Sequence, residues 1–297
     1  MKKNESPSSG QSRRDFIKNA AIASSFFIVP RHVLGGVGYT APSDQLNLAA
    51  IGAGGKGTGD IANAYNNGAN NVVALCDVDD TRAKKSRDDH PKAAYYKDYR
   101  IMLEKEEKNI DAVSVSTPDH MHAVQAMAAM KLGKHVYVQK PLTHDIYEAR
   151  MLTEAAKKYK VVTQMGNQGG SGDGVRLMKE WYDAKMIGKV TNVYAWTNRP
   201  VWPQGLAKPS GTHKVPANFK WDLWIGPSKY EEYNPAYHPF NWRGWWAFGT
   251  GALGDMACHI MDPIYRILPI LYPNEVECSL PNQFTAAWTE AGYIDSC

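Results

Sequence analysis

Cysteine is scarce in this chain of 297 residues: there are four, Cys76, Cys258, Cys278 and Cys297, and no two of them form a C-x-x-C pair. That count argues against a disulfide scaffold and against a thiolate metal knuckle. Long apolar runs are lacking too. The stretch AIASSFFIVP (residues 21–30) is too short and too poorly flanked to serve as a permanent membrane span. Nor does one sign of charge dominate the body. The formal net charge is +4, and residues 1–40, with six basic and two acidic side chains, carry all of it. A neutral remainder offers nucleic acid no electrostatic footprint.

What the chain does have starts with its leader. SRRDFIK (Ser12 to Lys18) stands just before that short apolar run. The twin arginines with their flanking Ser, Phe, Ile and Lys resemble a twin-arginine export signal. Residues 1–40 are expected to be that signal, with cleavage between Val33 and Ser43 and a periplasmic destination. No Cys closes the apolar run, so a lipid anchor is not expected.

From residue 46 short apolar runs alternate with helical ones. LNLAAIG, NVVALCD, DAVSVST, HVYVQ and VVTQMG read as strands, and the segments between several of them as helices. This order predicts a parallel sheet covered on both faces, over residues 44–168. Beyond 168 the character changes. GVRLMKEWYDAKMIG reads as a helix and KVTNVYAWT as an alternating strand; an aromatic, Pro- and Gly-rich stretch follows, with WDLWIG and NWRGWWAFG in long loops. Most of the nine Trp lie there. Two readings stay open for them, a core built by loop aromatics and a carbohydrate-facing surface.

Gly52, Gly54 and Gly57 form G-x-G-x-x-G between a strand and a helix. The glycines allow a tight turn, close approach of backbone to a pyrophosphate, and close helix–strand packing. Asp77 ends the second strand, where a carboxylate takes the adenosine ribose hydroxyls. That arrangement points to NAD as cofactor rather than its 2′-phosphorylated form, although Lys56 and Arg82 lie close in sequence.

Further on, GALGDMACHIMD (251–262) sets Asp255 and His259 four residues apart, on one helical face. No His or Cys cluster at ligand spacing accompanies them, so no metal is expected. A histidine has the intrinsic pKa of a general base for a hydroxyl proton. Lys140, before Pro141 at a strand's carboxyl end, can polarise the oxygen that becomes a carbonyl.

The glycine motif, STPDHMH (116–122), VYVQKPLT (137–144) and the Asp255/His259 pair together resemble the Gfo/Idh/MocA family of sugar and cyclitol oxidoreductases, in particular its exported members. The resemblance implies an α/β chain: an N-terminal Rossmann fold, then an α+β substrate domain (169–297) with a mostly antiparallel sheet. The few predicted strands there suggest that this second domain is incomplete. It also implies that Thr117, Pro118, His120 and His122 lie along the dinucleotide, that Lys140 sits near the nicotinamide, and that Lys140, Asp255 and His259 are catalytic. The family's Glu-Lys-Pro reads Gln139-Lys140-Pro141 here. Asn167, Arg243, Tyr237 and His238 are weaker candidates for substrate contact.

The expected function is NAD-dependent oxidation of a secondary hydroxyl on a sugar, cyclitol or sugar derivative. One alternative is an NAD-dependent glycoside hydrolase working through transient C3 oxidation and elimination. Another is a non-catalytic sugar- or NAD-binding relative. The expected partner is a small carbohydrate, with self-association left open.

Overall fold

The computed structural model describes residues 40–199, 201–202 and 206–278. The twin-arginine segment therefore lies outside the described residues, as do residues 279–297. The chain divides into two compact units, Met1–Gln45 and Leu46–Cys297. In the first, the described part is a single 3-10 turn, Pro42–Asp44.

The second unit is built on one parallel sheet. Its strands are β1 (Asn47–Ile51), β2 (Asn71–Cys76), β3 (Ala94–Tyr96), β4 (Ala112–Val115), β5 (His135–Gln139) and β6 (Thr163–Gly166). Their order is β3-β2-β1-β4-β5-β6, and every pairing is parallel. This is the doubly wound Rossmann order, and the strand sequence reverses between β1 and β4. The alternating apolar runs produce it directly, since parallel strands covered by helices are buried on both faces. Ala74, Leu75, Val113, Val115 and Val138 are all buried at the centre.

The crossovers are α1 (Lys56–Tyr65), α2 (Asp80–Asp89), α3 (Tyr99–Glu106), α4 (Asp119–Lys131) and α5 (Ile146–Tyr159). Local chemistry sets their ends. Asp79 caps α2 by accepting from the backbone N–H groups of Thr81 and Arg82. Asp145 and Glu148 form a reciprocal capping box on α5.

The remainder corrects the sequence reading. No described residue after Gly166 lies in a strand, so the expected mostly antiparallel second sheet is absent there. The stretch 189–197, read as a strand, has no regular structure, and Val193, Tyr194 and Trp196 are exposed. A strand needs a neighbour to receive its backbone groups, and the described residues provide none beside it. Phe219 makes only an isolated antiparallel bridge to Asp79.

Helices and loops build this region instead: α6 (Asp173–Asp183), α7 (Trp221–Ile225), a 3-10 turn at Asn241–Gly244, α8 (Gly251–Ile260) and α9 (Asp262–Ile267). They enclose an aromatic core of Phe219, Trp221, Trp224, Tyr237, Trp245 and Phe248. Trp221 stacks on Trp224 with centroids 4.7 Å apart, and Phe248 meets Trp224 edge-on at 4.8 Å. Of the two readings for the tryptophans, packing accounts for Trp202, Trp221, Trp224, Trp242 and Trp245, which are buried, whereas Trp181, Trp196 and Trp246 are exposed.

Candidate active site

A cleft of about 540 Å³ opens at the carboxyl ends of β1, β2, β4 and β5. That is the switch point, where open α/β sheets take their ligands. The glycine loop forms one wall. Gly52 has φ +84°, and a Cβ there would stand 2.6 Å from Ser116 O. A Cβ on Gly57 would fall 1.8 Å from Gly52 O. The loop therefore tolerates no side chain at either position, and it leads into the N-terminus of α1, where backbone N–H groups favour a pyrophosphate.

Asp77 lies at the end of β2 and lines the same cleft. Its carboxylate accepts from Gly54 N at 2.8 Å and Asp79 N at 2.9 Å. Burial pushes its pKa up, and those two backbone hydrogen bonds oppose the shift. Glycine cradle, helix N-terminus and strand-end acid together fit a dinucleotide.

The opposite wall comes from the aromatic region, with Trp224, His238, Phe240, Trp242 and Arg243. At the end nearest Lys140, groups from both walls meet. Lys140 Nζ donates to Asp255 Oδ1 at 2.5 Å and to Asp255 O at 3.1 Å. Asp255 is only 3% exposed, so this pair is largely removed from water. Arg243 Nε lies 3.6 Å from the same carboxylate oxygen, and its guanidinium sits 4.3 Å above the Trp242 ring. Burial lowers the Arg243 pKa, and Asp255 counters it.

His259 stands one helical turn after Asp255 and lines the cleft. Its Nδ1 is 2.9 Å from Asn167 Oδ1. Asn167 Nδ2 donates to Cys258 O at 2.6 Å, which fixes the amide so that Oδ1 faces the ring as an acceptor. The ring proton is therefore assigned to Nδ1, leaving Nε2 as the basic nitrogen. Burial, followed by the positive charge of Lys140, lowers the His259 pKa.

Thr117 and Pro118 line the cleft, with Thr117 Oγ1 donating to Gln125 Oε1 at 2.7 Å. His120 and His122 are buried in α4. His120 Nε2 is 2.9 Å from Trp224 O and its Nδ1 3.2 Å from Phe248 O, and burial pushes its pKa down to about 4. It joins the Rossmann half to the aromatic core. His122 sits between Pro141 O (2.7 Å) and Thr117 O (2.8 Å), tying two cleft-edge loops together. Tyr237 is buried in the aromatic core, whereas His238 reaches the cleft stacked on Phe219 at 4.3 Å.

Spacing did not reveal Asp119, which is buried in the cleft wall. It accepts from Thr250 Oγ1 at 2.8 Å, and burial raises its pKa. Its position at the start of α4 in STPDHMH was the only available signal.

A family model described as the NAD-binding Rossmann fold of the Gfo/Idh/MocA oxidoreductase family matches residues 46–167. The model of that family's C-terminal alpha/beta domain matches residues 178–294. Levoglucosan dehydrogenase of Pseudarthrobacter phenanthrenivorans is 26% identical over 166 residues, which cover 56% of this chain and 34% of that protein. A glycosyl hydrolase family 109 protein of Solibacter usitatus is 30% identical over 162 residues, covering 49% of this chain and 36% of its own length. The chain thus spans little more than a third of these curated relatives. The crystal structure of myo-inositol 2-dehydrogenase from Lactobacillus plantarum aligns with TM-score 0.46 and 27% identity, over 49% of this chain and 43% of that one.

Proposed function

The chain belongs to the Gfo/Idh/MocA oxidoreductase family, and from that premise we propose that it oxidises a secondary hydroxyl of a sugar, cyclitol or sugar derivative. One observation carries the reading. The Lys140–Asp255 pair and His259 share a cleft with the glycine loop and Asp77. A hydroxyl held there lies against an ammonium and an imidazole, with the dinucleotide cradle beside it.

Gly52, Gly54, Asp77 and Thr117 would hold the NAD, which when bound supplies the hydride acceptor. His259 Nε2 takes the hydroxyl proton, and its lowered pKa keeps it unprotonated at neutral pH. Lys140 donates to the oxygen as carbonyl character develops. Asp255 holds the Lys140 ammonium in place, and its oxygen shared with Arg243 keeps a second cation at hand. The aromatic wall covers the apolar face of a sugar ring and excludes water.

The test starts from the purified protein. Bound NAD(H) is extracted and quantified, and a sugar and cyclitol panel is scanned for carbonyl formation. Carbonyl products that vanish in Lys140→Met support the reading. An NAD-loaded protein inert to the whole panel would leave the binding-only alternative in its place.

The likeness to a glycosyl hydrolase family 109 protein supports a second reading, glycoside cleavage through transient C3 oxidation. In that reaction the oxidised C3 acidifies the C2–H, a base removes that proton and the aglycone leaves; water then adds at C1 with a proton at C2, and the hydride taken from C3 is returned to it. Release of an aryl aglycone without added NAD and without a lasting keto sugar would select it over plain oxidation. Export through the SRRDFIK leader belongs to the same proposal, and cell fractionation of the full chain checks it.

A further inference from the structure

Lys140 directly follows the last residue of β5. Gln139 ends β5 and is 5% exposed, so its amide must find partners inside the protein. Its Nε2 donates to Asp60 Oδ2 at 2.8 Å, and its Oε1 accepts from Gln168 Nε2 at 3.2 Å. Asp60 lies on α1, one turn beyond the glycine loop, and is itself buried. Ser116 Oγ donates to the same Asp60 oxygen at 2.8 Å, while Asp60 Oδ1 forms an ion pair with Lys56. One carboxylate thus joins the helix of the glycine loop to the carboxyl ends of β4 and β5.

We infer that Asp60 is a positioning residue for Lys140: its buried carboxylate demands a neutral hydrogen-bond donor at position 139 and thereby fixes the Gln139–Lys140 peptide. The logic is donor against acceptor. An amide can present Nε2 to a carboxylate oxygen, whereas a glutamate at 139 would bring a second acceptor and a second negative charge to the same 2.8 Å contact. Two carboxylates at that separation share one proton, so one of them would keep it well above the usual carboxylate range. The charged group paired with Asp60 is Lys56 on α1, whereas the Lys140 ammonium is turned to Asp255; Ser116, just after β4, donates to Asp60, and Tyr137 on β5 faces Gln168. The significance of Lys140 rests on the oxidoreductase reading above, but the carboxylate–amide coupling does not.

The test is a charge exchange on the full chain with its NAD. Gln139→Glu should melt close to the parent at pH 5, where the pair holds its shared proton. A carboxyl with a raised folded-state pKa loses its stabilising proton as pH rises, so the deficit should grow to roughly 5 °C at pH 8. Turnover at pH 8 should fall roughly tenfold in kcat with KM little changed, since a displaced lysine ammonium affects the reacting state more than binding. The double variant Asp60→Asn with Gln139→Glu reverses donor and acceptor and should recover most of both losses. A Gln139→Glu protein that melts like the parent at pH 8, or a double variant no better than the single, overturns the inference. A melting deficit with unchanged kcat also overturns it, because the contact would then be structural only. If the parent oxidises nothing, the oxidoreductase reading fails while the melting comparison still tests the coupling.

Discussion

The two halves of the Leu46–Cys297 unit hold together by different means. The Rossmann half repeats one solution, a parallel ladder of aliphatic strands clamped by helices, and its buried residues are mostly Ala, Val, Ile and Leu. The aromatic half repeats nothing. Its core is assembled from Trp, Phe and Tyr on short helices and loops, and several of its polar groups are matched by single, irregular contacts. Examples are Trp221 Nε1 donating to Glu231 O at 2.7 Å and Ser228 Oγ to Ala247 O at 2.7 Å. A ladder makes structure predictable and places a general ligand, because every strand ends on the same edge. Individually matched contacts place particular side chains, as a substrate site requires. In this reading the cofactor belongs to the first half, and the groups that choose and deprotonate the substrate belong to the second.

The largest effect should come from separating those two duties. His259→Ala removes the base from the aromatic half without touching the glycine loop. Turnover should fall about a hundred- to ten-thousand-fold, the usual contribution of a positioned base. NAD affinity, measured by titration calorimetry, should stay within about threefold of the parent. In the parent, the acidic limb of the kcat/KM profile should have its midpoint below 6.5, because burial and then Lys140 lower the His259 pKa. Activity is lost as pH falls through that midpoint. A comparable loss of NAD affinity in the variant would assign His259 a structural role and blur the division between the halves.

Phe248→Ala comes next and attacks the aromatic core where it is fully buried, at 0% exposure. The ring meets Trp224, Trp221, Tyr237 and His120 within 4.8 to 6.2 Å. Truncating it costs about 3–5 kcal/mol through lost burial and the cavity left behind. The damage should show first in the near-ultraviolet circular dichroism of the tryptophans, with far-ultraviolet signal from the parallel sheet retained at the same temperature. Simultaneous loss of both signals would mean that the halves form one cooperative unit despite their different construction.

The same contrast governs how much could be read in advance. The parallel sheet covered on both faces was legible because apolar runs alternate with helical ones at short intervals, whereas its strand order came only from the folded chain. Only β3 escaped, since Ala-Tyr-Tyr is too short to show a period. The glycine loop, Asp77, Lys140, Asp255 and His259 were legible as candidates because local motifs contain them. KVTNVYAWT misled because alternation describes one strand and says nothing of a partner. The links from Asp60 to Gln139, from Asn167 to His259 and from Asp119 to Thr250 join residues 79 to 131 positions apart. Such pairs leave no periodic trace, so only the folded chain brings them together.

The smallest effect should lie at the seam, where Asn218 joins the halves beside the Asp77 end of the cleft. Its Nδ2 donates to Thr81 Oγ1 at 2.7 Å and to Asp79 Oδ1 at 3.2 Å, and its carbonyl accepts from Asp80 N at 3.1 Å. Alanine keeps the carbonyl and removes only the amide. Asp79 Oδ1 retains its bonds from the backbone N–H groups of Thr81 and Arg82, so no buried acceptor is orphaned. The cost should therefore be about 1 kcal/mol, the net worth of a partly exposed hydrogen bond. Since the seam borders Asp77, that loss should appear as a weakening of NAD binding by up to about fivefold. Thr81→Ala removes the shorter of the two contacts from the other side. Because the two residues share one bond, the double variant should bind NAD only slightly worse than Asn218→Ala alone. Fully additive losses would show that the amide acts through some other route, and that the seam is weaker than its geometry implies.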